Sequence, residues 1–544
     1  MAKINYAVSE QPVAASRSEV LRIILKSRLF IWRGNPPGLA LESIALATAM
    51  VMFLPILYVV IRGLQGGFDR WVSLLDSRIP QLLWNTLSLT TVVTTVALVL
   101  GISTAWLINR SDLPGRKVWE WLLALPLVIP PYVGAVSYII VFGPRGLVRN
   151  VLVDFPINIY SFTGVALLLT LFTYPYVYLV AGAALKRFNH NYEEAGRIAG
   201  LSYFQVLLKI VLPLLRPAMG AGAILVALYS LSDFGLVAML RYTTFTTAIY
   251  YQMGSFDRLS AAILSVVLII LTLVLLGIEY SSRRKKRYFQ STGTYRKPAP
   301  VPLGRGRAYC FAGVGIIVSL ALVLPVSVLL YWSYTGIMRG ALDSRFWEYA
   351  HQSLLTAGLA AIACAVLALP LVYLKSRHPS LVSSIYEKLA LAGYALPGVI
   401  IALGMVFIFN QYLPGLYGTS IVLVVAYVIR FLPQAMQAES SSLSQVSPRL
   451  DEAGRSLGFS PRKVIARVIL PLIRPGILAG MALVFVSAIK ELPATLVLRP
   501  PGMDTLAVRI WIEASEGFYD MAAPASLLII IISALPLKWL INKF

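Results

Sequence analysis

Glu194-Ala195-Gly196-Arg197, followed by Gly200 and then Leu212-Pro213-Leu214-Leu215-Arg216-Pro217, is written a second time in this chain. The second copy reads Glu452-Ala453-Gly454-Arg455, then Gly458, then Leu470-Pro471-Leu472-Ile473-Arg474-Pro475. Each residue of the first copy stands 258 positions before its partner, and the same offset joins Pro175 to Pro433. Upstream, an offset of 267 joins Thr86 to Ser353 and Pro130 to Pro397, so the second half has a shorter loop after its third apolar block. A fixed internal period means one structural unit used twice.

Around these loops the chain is apolar. Of its 544 residues 58% are hydrophobic and 13% charged, about half the charged share of a soluble domain. Too few charges remain to coat a water-facing surface, which excludes a soluble enzyme, a nucleic-acid-binding protein and a disordered chain. The apolar residues fall into blocks long enough to cross a bilayer, which takes about 20 residues of helix. They predict spans over 39–61, 82–108, 119–142, 162–185, 210–240 and 259–278, then 309–332, 354–374, 389–409, 420–436, 469–496 and 523–541. The expected fold is all-α: a polytopic membrane protein with 12 transmembrane helices in two parallel six-helix repeats. An even number of spans per half gives repeats related by a pseudo-twofold axis along the membrane normal, with a path on that axis. The expected organisation is a tail over 1–38, a first domain over 39–281, a basic linker over 282–307 and a second domain over 308–544.

Net charge is +23, and where it sits sets the topology. With the N-terminus inside, the cytoplasmic segments and adjoining span ends hold 34 of the 47 Lys and Arg, and the opposite loops hold 11. The other two, Arg430 and Lys490, lie within spans. Both termini are then expected in the cytoplasm. No cleavable signal is read, because the first apolar block starts behind a basic tail. The linker, with its run Arg283-Arg284-Lys285-Lys286-Arg287, reads as a solvated segment that also meets anionic headgroups. Leu21 to Trp32 has the pattern of an interfacial amphipathic helix. Cys310 and Cys364 lie singly in apolar blocks, and His190, His351 and His378 offer no zinc or iron–sulfur spacing.

The repeated loop carries helix punctuation. Asn189 and Ser447 suit N-caps, with Pro448 at the first helical position. Gly200 and Gly458 suit C-terminal stops, and Ser202 with Gln205 forms a capping box for the next helix. Short capped helices are therefore expected at about 189–201 and 447–459. Ala195, Gly196, Ala453 and Gly454 would let another surface approach closely, and Glu194 and Glu452 would supply charge.

The pattern Glu-Ala-Gly, three residues, Gly, then Leu-Pro resembles the EAA loop of ABC importer permeases, with Gly in place of the second Ala. The resemblance covers nearly the whole chain. It implies that Glu194, Ala195, Gly196 and Gly200, with Glu452, Ala453, Gly454 and Gly458, form two coupling helices. These would dock on an ABC ATPase subunit, acting as a homodimer, which holds the ATP and Mg. A periplasmic or extracytoplasmic substrate-binding protein completes the implied system in a bacterial inner membrane. Fused double permeases of this kind are chiefly ferric-iron and thiamine importers. Ser232-Asp233-Phe234-Gly235 with Thr244 to Tyr250, and Lys490-Glu491-Leu492-Pro493-Ala494-Thr495 with Arg499-Pro500-Pro501-Gly502, resemble the ferric-iron type. Thiamine or a polyamine is the alternative cargo, and an ion-coupled secondary transporter the alternative class. No Gly-x-x-x-x-Gly-Lys-Ser/Thr, His-Glu-x-x-His or Gly-x-Ser-x-Gly occurs, so the chain reads as a non-enzymatic subunit with no cofactor of its own. The lipid bilayer is a partner and nucleic acid is not.

Charges inside spans are costly and face a cavity or a partner. Asp233 and Glu491 are related by the 258 offset and predict a carboxylate pair flanking the path, with transient contact to the metal cargo. Arg430, Lys490, Tyr229 and Tyr250 are the other path or gate candidates. The competing expectation is that Glu491 pairs with Arg430 or Lys490 while Asp233 caps a break before Gly235.

Overall fold

A computed structural model describes residues 37–144, 146–148, 158–189, 191–284 and 300–543. The expected interfacial helix at Leu21–Trp32, His190 and most of the basic linker lie outside the described residues. Within them the chain is helical, and the one β-bridge joins Ser111 to Val301.

The first repeat runs α1 (Leu39–Leu64), α2 (Ile79–Arg110), α3 (Arg116–Leu122), α4 (Pro131–Phe142), α5 (Phe162–Lys186), α6 (Asn191–Ile198), α7 (Phe204–Ser232), α8 (Gly235–Met239), α9 (Phe245–Gly254) and α10 (Arg258–Arg284). The second runs α11 (Gly304–Met338), α12 (Ser344–Arg377), α13 (Leu381–Leu391), α14 (Gly398–Tyr412), α15 (Ser420–Leu443), α16 (Arg449–Ser456), α17 (Pro461–Ile489), α18 (Pro493–Leu498), α19 (Leu506–Glu516) and α20 (Tyr519–Lys543). Each helix of the second repeat thus answers the one numbered ten lower, and the first repeat has in addition a short helix, Phe68–Ser77, between α1 and α2. Ten of the described helices are long and apolar enough to span a bilayer, and the bent pair joining α3 to α4 makes eleven. Helix α14 is shorter, at 15 residues. Twelve crossings are compatible with this count.

Proline explains where the expected continuous spans break. Between α3 and α4 a 3₁₀ turn over Leu125–Val128 leads into Pro130-Pro131, and the two helices meet at 95°. The second repeat has the matching 3₁₀ turn Ala392–Ala395, then Pro397. Proline cannot donate to the preceding turn and it restricts the residue before it, so the helix must restart there. The spans expected over 210–240 and 469–496 are also interrupted, at Asp233 and at Lys490-Glu491. The first of these is the break before Gly235 that the capping expectation for Asp233 named.

The repeats are interlocked. The first helix of each one packs on the other: α1 lies on α14 and α11 lies on α4. At the first crossing Gly404 sits against the Pro55 carbonyl, with no room for a Cβ. At the second the residue equivalent to Gly404 is Ser137, whose hydroxyl donates to the Pro325 carbonyl at 3.4 Å, while Tyr138 Oη donates to Leu320 O at 2.9 Å. Lipid tails are as apolar as leucine, so close backbone approach and interhelical hydrogen bonds hold such crossings.

Candidate functional site

One face of the molecule carries α6 and α16. Asn189 and Ser447 each accept from the backbone N–H two residues on, at 3.2 and 3.3 Å. Gly200 and Gly458 close the helices at φ of 85° and 81°, a left-handed conformation that favours glycine. Ser202 and Gln205 exchange the two bonds of the expected capping box, at 3.0 and 3.2 Å. Pro448 sits at the N-cap, one position earlier than expected.

The small residues of the loop divide between two roles. Gly196 and Gly454 are buried, facing the chain itself: a Cβ on Gly196 would strike Ile210, and one on Gly454 would meet Val464 at 3.0 Å. Ala195 and Ala453 face outward, Glu452 is exposed and Glu194 is half-buried. Beside them Ile198, Phe204 and Leu457 are strongly exposed.

The sequence reading passed over the residue before each of these glutamates. Glu193 forms an ion pair with Arg110, at the end of α2, and Asp451 pairs with Arg377, at the end of α12, at 3.0 Å. Arg110 is equivalent to Arg377 by the 267 offset and Glu193 to Asp451 by the 258 offset. Asp451 also accepts from Tyr373 Oη at 2.7 Å. Those offsets were the available signal: applied to charged residues, they pick out both pairs.

Deeper in the molecule, where α7 and α17 end, a cavity of about 300 Å³ opens between the repeats. Asp233, Glu491, Lys490, Arg430 and Tyr229 all line it. Tyr250 does not; its ring packs on Phe234 at 4.7 Å. Asp233 is buried, and its Oδ1 accepts from the N–H groups of Leu236 and Val237 at 3.1 and 3.2 Å, capping α8. Glu491 is buried too, and its Oε1 accepts from Ala494 N–H at 3.2 Å, capping α18 in the same way. The same oxygen lies 3.2 Å from Arg430 Nη1. Lys490 reaches across to the first repeat and donates to Leu127 O at 3.1 Å. Each carboxylate thus caps a helix beyond the break, and each lines the cavity. Among the described residues no three His, Cys, Asp or Glu come together in a set that could hold a metal ion.

Each break is tied back by a hydroxyl. Thr246 Oγ1 donates to Asp233 O at 2.7 Å, and Thr495 Oγ1 donates to Glu491 O at 2.7 Å. Thr86 and Ser353, the pair noted for their offset, accept from the first N–H of α9 and of α19, from Phe245 at 3.3 Å and Leu506 at 2.8 Å.

Two interlocked helical repeats, each with a broken helix lining a shared cavity and a capped helix on one face, define a polytopic membrane permease. Residues 97–288 and 359–540 each match the model of the binding-protein-dependent transport system inner membrane component, and the chain belongs to that family. It is 33% identical over 515 residues to the Fe(3+)-transport system permease protein FbpB 2 of Haemophilus influenzae, covering 93% of this chain and 99% of that one. It is 26% identical over 485 residues to the ferric transport system permease protein FbpB of Actinobacillus pleuropneumoniae, covering 84% and 71%. The sulfate transport system permease protein CysT of Escherichia coli is 27% identical over 250 residues, 44% of this chain and 90% of its own. The family is one of multi-pass inner-membrane proteins, so this chain is an inner-membrane permease subunit of a binding-protein-dependent importer.

Proposed function

We propose that this chain carries ferric iron inward by alternating access, driven by a separate homodimeric ABC ATPase and supplied by an extracytoplasmic binding protein. The iron assignment is supported by near-full-length similarity to permeases named for Fe(3+) transport. The Lys and Arg bias supports a cytoplasmic face for α6 and α16, with both termini inside. Glu194, Ala195, Gly196 and Gly200, with Glu452, Ala453, Gly454 and Gly458, build the two docking helices. In this role the glycines seat each helix on the chain while the glutamates and the exposed Ile198 and Leu457 meet the ATPase. Asp233 and Glu491 flank the path where the repeats meet, giving a passing ferric ion the hard oxygen donors it prefers. Two carboxylates without a third ligand suit brief contact rather than storage. Arg430 and Lys490 set the field at the same gate, and Tyr229 closes the first-repeat side.

One observation carries the coupling assignment: two copies of one capped helix stand on one face, each joined directly to a helix that ends at the cavity. Replacing Glu194 and Glu452 together by Arg places wrong-sign charge in both docking sites. Copurification of the ATPase and iron uptake in proteoliposomes should both collapse while membrane insertion stays normal. Normal uptake in that double variant would refute the docking role.

A further inference from the structure

We infer that α2 and α12 are the connecting rods of transport, and that Arg110, Arg377, Thr86 and Ser353 are positioning residues that fasten their two ends. The inference rests on the docking role proposed for α6 and α16. At the docking end, Arg110 is held by Glu193 and Arg377 by Asp451, each acid standing immediately before the docking glutamate. Arg110 is 1% exposed and the Arg377 and Asp451 side chains 8% and 7%, so these are pairs shielded from water rather than surface contacts. Arg377 also donates from Nη2 to Val446 O at 3.0 Å, gripping the chain that enters α16. At the cavity end, Thr86 and Ser353 are each 2% exposed and accept the leading N–H of α9 and α19. From α9 the connection continues through Thr246 to the Asp233 carbonyl, at the break itself.

The spacing is identical in the two repeats. Thr86 precedes Arg110, and Ser353 precedes Arg377, by 24 residues of unbroken helix, about 36 Å at 1.5 Å per residue. A single hydroxyl or arginine would be ordinary packing. Four fastenings at equivalent positions, two on each side of the pseudo-twofold, join both docking helices to the segments that follow both breaks. A helix held at each end by bonds with no solvent alternative passes a displacement along its length, because stretching it would break its backbone ladder. Coupling between distant sites needs such a rigid element attached to both.

The test uses the full transporter in proteoliposomes, with its ATPase and the ferric-iron-loaded binding protein. Thr86→Val with Ser353→Ala removes both cavity-end acceptors while leaving the docking face untouched. ATPase binding and basal hydrolysis should be unchanged, while stimulation by the loaded binding protein and iron uptake both fall about tenfold, within the usual range of allosteric coupling. Thr86→Ser with Ser353→Thr keeps both hydroxyls and should restore stimulation. Arg110→Gln with Arg377→Gln cuts the other end and should uncouple in the same way. Should that variant fail to assemble, the hydroxyl pair alone decides. Stimulation and uptake within twofold of the parent in the Thr86→Val, Ser353→Ala protein would overturn the rod. If the Glu194→Arg, Glu452→Arg protein loses its ATPase at the same time, the docking role survives that result.

Discussion

The two walls of the cavity share a backbone and differ in chemistry. On the first-repeat wall stand Tyr176, Tyr229, Ser232 and Asp233; at equivalent positions on the second stand Gln434, Ser487, Lys490 and Glu491. Phe172 of the first repeat, packed close against Gly134, answers Arg430 of the second. Only the carboxylate that caps the break is kept on both sides. At the face bearing α6 and α16 the reverse holds: the ion pair, the inward glycine and the left-handed terminator recur in both repeats. The contrast follows from what each region would meet. On the proposed function, a homodimeric ATPase would present two identical surfaces, whereas a cargo ion would pass one at a time and impose no twofold symmetry on the walls. The second repeat therefore holds an ion pair where the first holds aromatic packing, and the two should break differently.

Removing the arginine should have the largest effect. Arg430→Leu leaves Glu491 buried with a backbone N–H as its remaining partner, a loss of about 3 to 5 kcal/mol. Phe172→Leu, at the equivalent position, should cost about 1 kcal/mol, since no charge is stranded. Thermal unfolding of the purified proteins in detergent measures both. Adding Glu491→Met to Arg430→Leu should recover most of the loss, because an apolar pair of similar volume often replaces a buried ion pair without penalty. Equal destabilisation at positions 172 and 430 would remove the distinction between the walls.

A smaller effect is expected at Gly398, which stands in the second repeat where the first has Pro131. A Cβ there would run into both the Arg430 guanidinium and the Glu491 carboxylate. Gly398→Ala should cost about 1 to 3 kcal/mol by forcing the pair apart. Gly220→Ala, with nothing within 4 Å, should stay within about 0.5 kcal/mol. The same thermal assay decides, and a harmless Gly398→Ala would mean the pair can shift at no cost.

Much of this architecture was legible in the sequence because membrane helices and caps are written locally. Span identity follows from apolar block length, and the ends of α6 and α16 follow from Asn189, Ser447, Gly200 and Gly458. The repeat offsets pointed to Thr86 with Ser353 and to Asp233 with Glu491 before any geometry was known. What stayed hidden depends on contacts across the fold. The break before Gly235 was the competing expectation for Asp233, whereas the matching break at Lys490-Glu491 was read as part of one continuous span. The Arg110–Glu193 and Arg377–Asp451 pairs join residues 83 and 74 positions apart, beyond any local rule. Tyr250 follows the break closely in sequence, yet α9 directs its ring onto Phe234 instead of toward the cavity. The crossing of α1 and α11 onto the opposite repeats is likewise a property of packing alone.

The smallest expected change in stability belongs to Asp233→Asn, and it bears most directly on the path. In the structure this side chain caps α8 through Oδ1, a task that asparagine performs about as well as aspartate. Folding stability should therefore stay within about 0.5 kcal/mol of the parent. The formal charge is lost, however, and with it the attraction of the first wall for a cation. If Asp233 guides iron, uptake in proteoliposomes should fall about tenfold, equivalent to 1.4 kcal/mol at the barrier, with ATPase stimulation retained. Glu491→Gln cannot make this separation, because it also strips Arg430 of its carboxylate and so disturbs the fold of the second wall. Unchanged uptake in Asp233→Asn would leave the first carboxylate as a helix cap alone. Any attraction for the ion would then have to come from the second wall, where the carboxylate is already shared with an arginine.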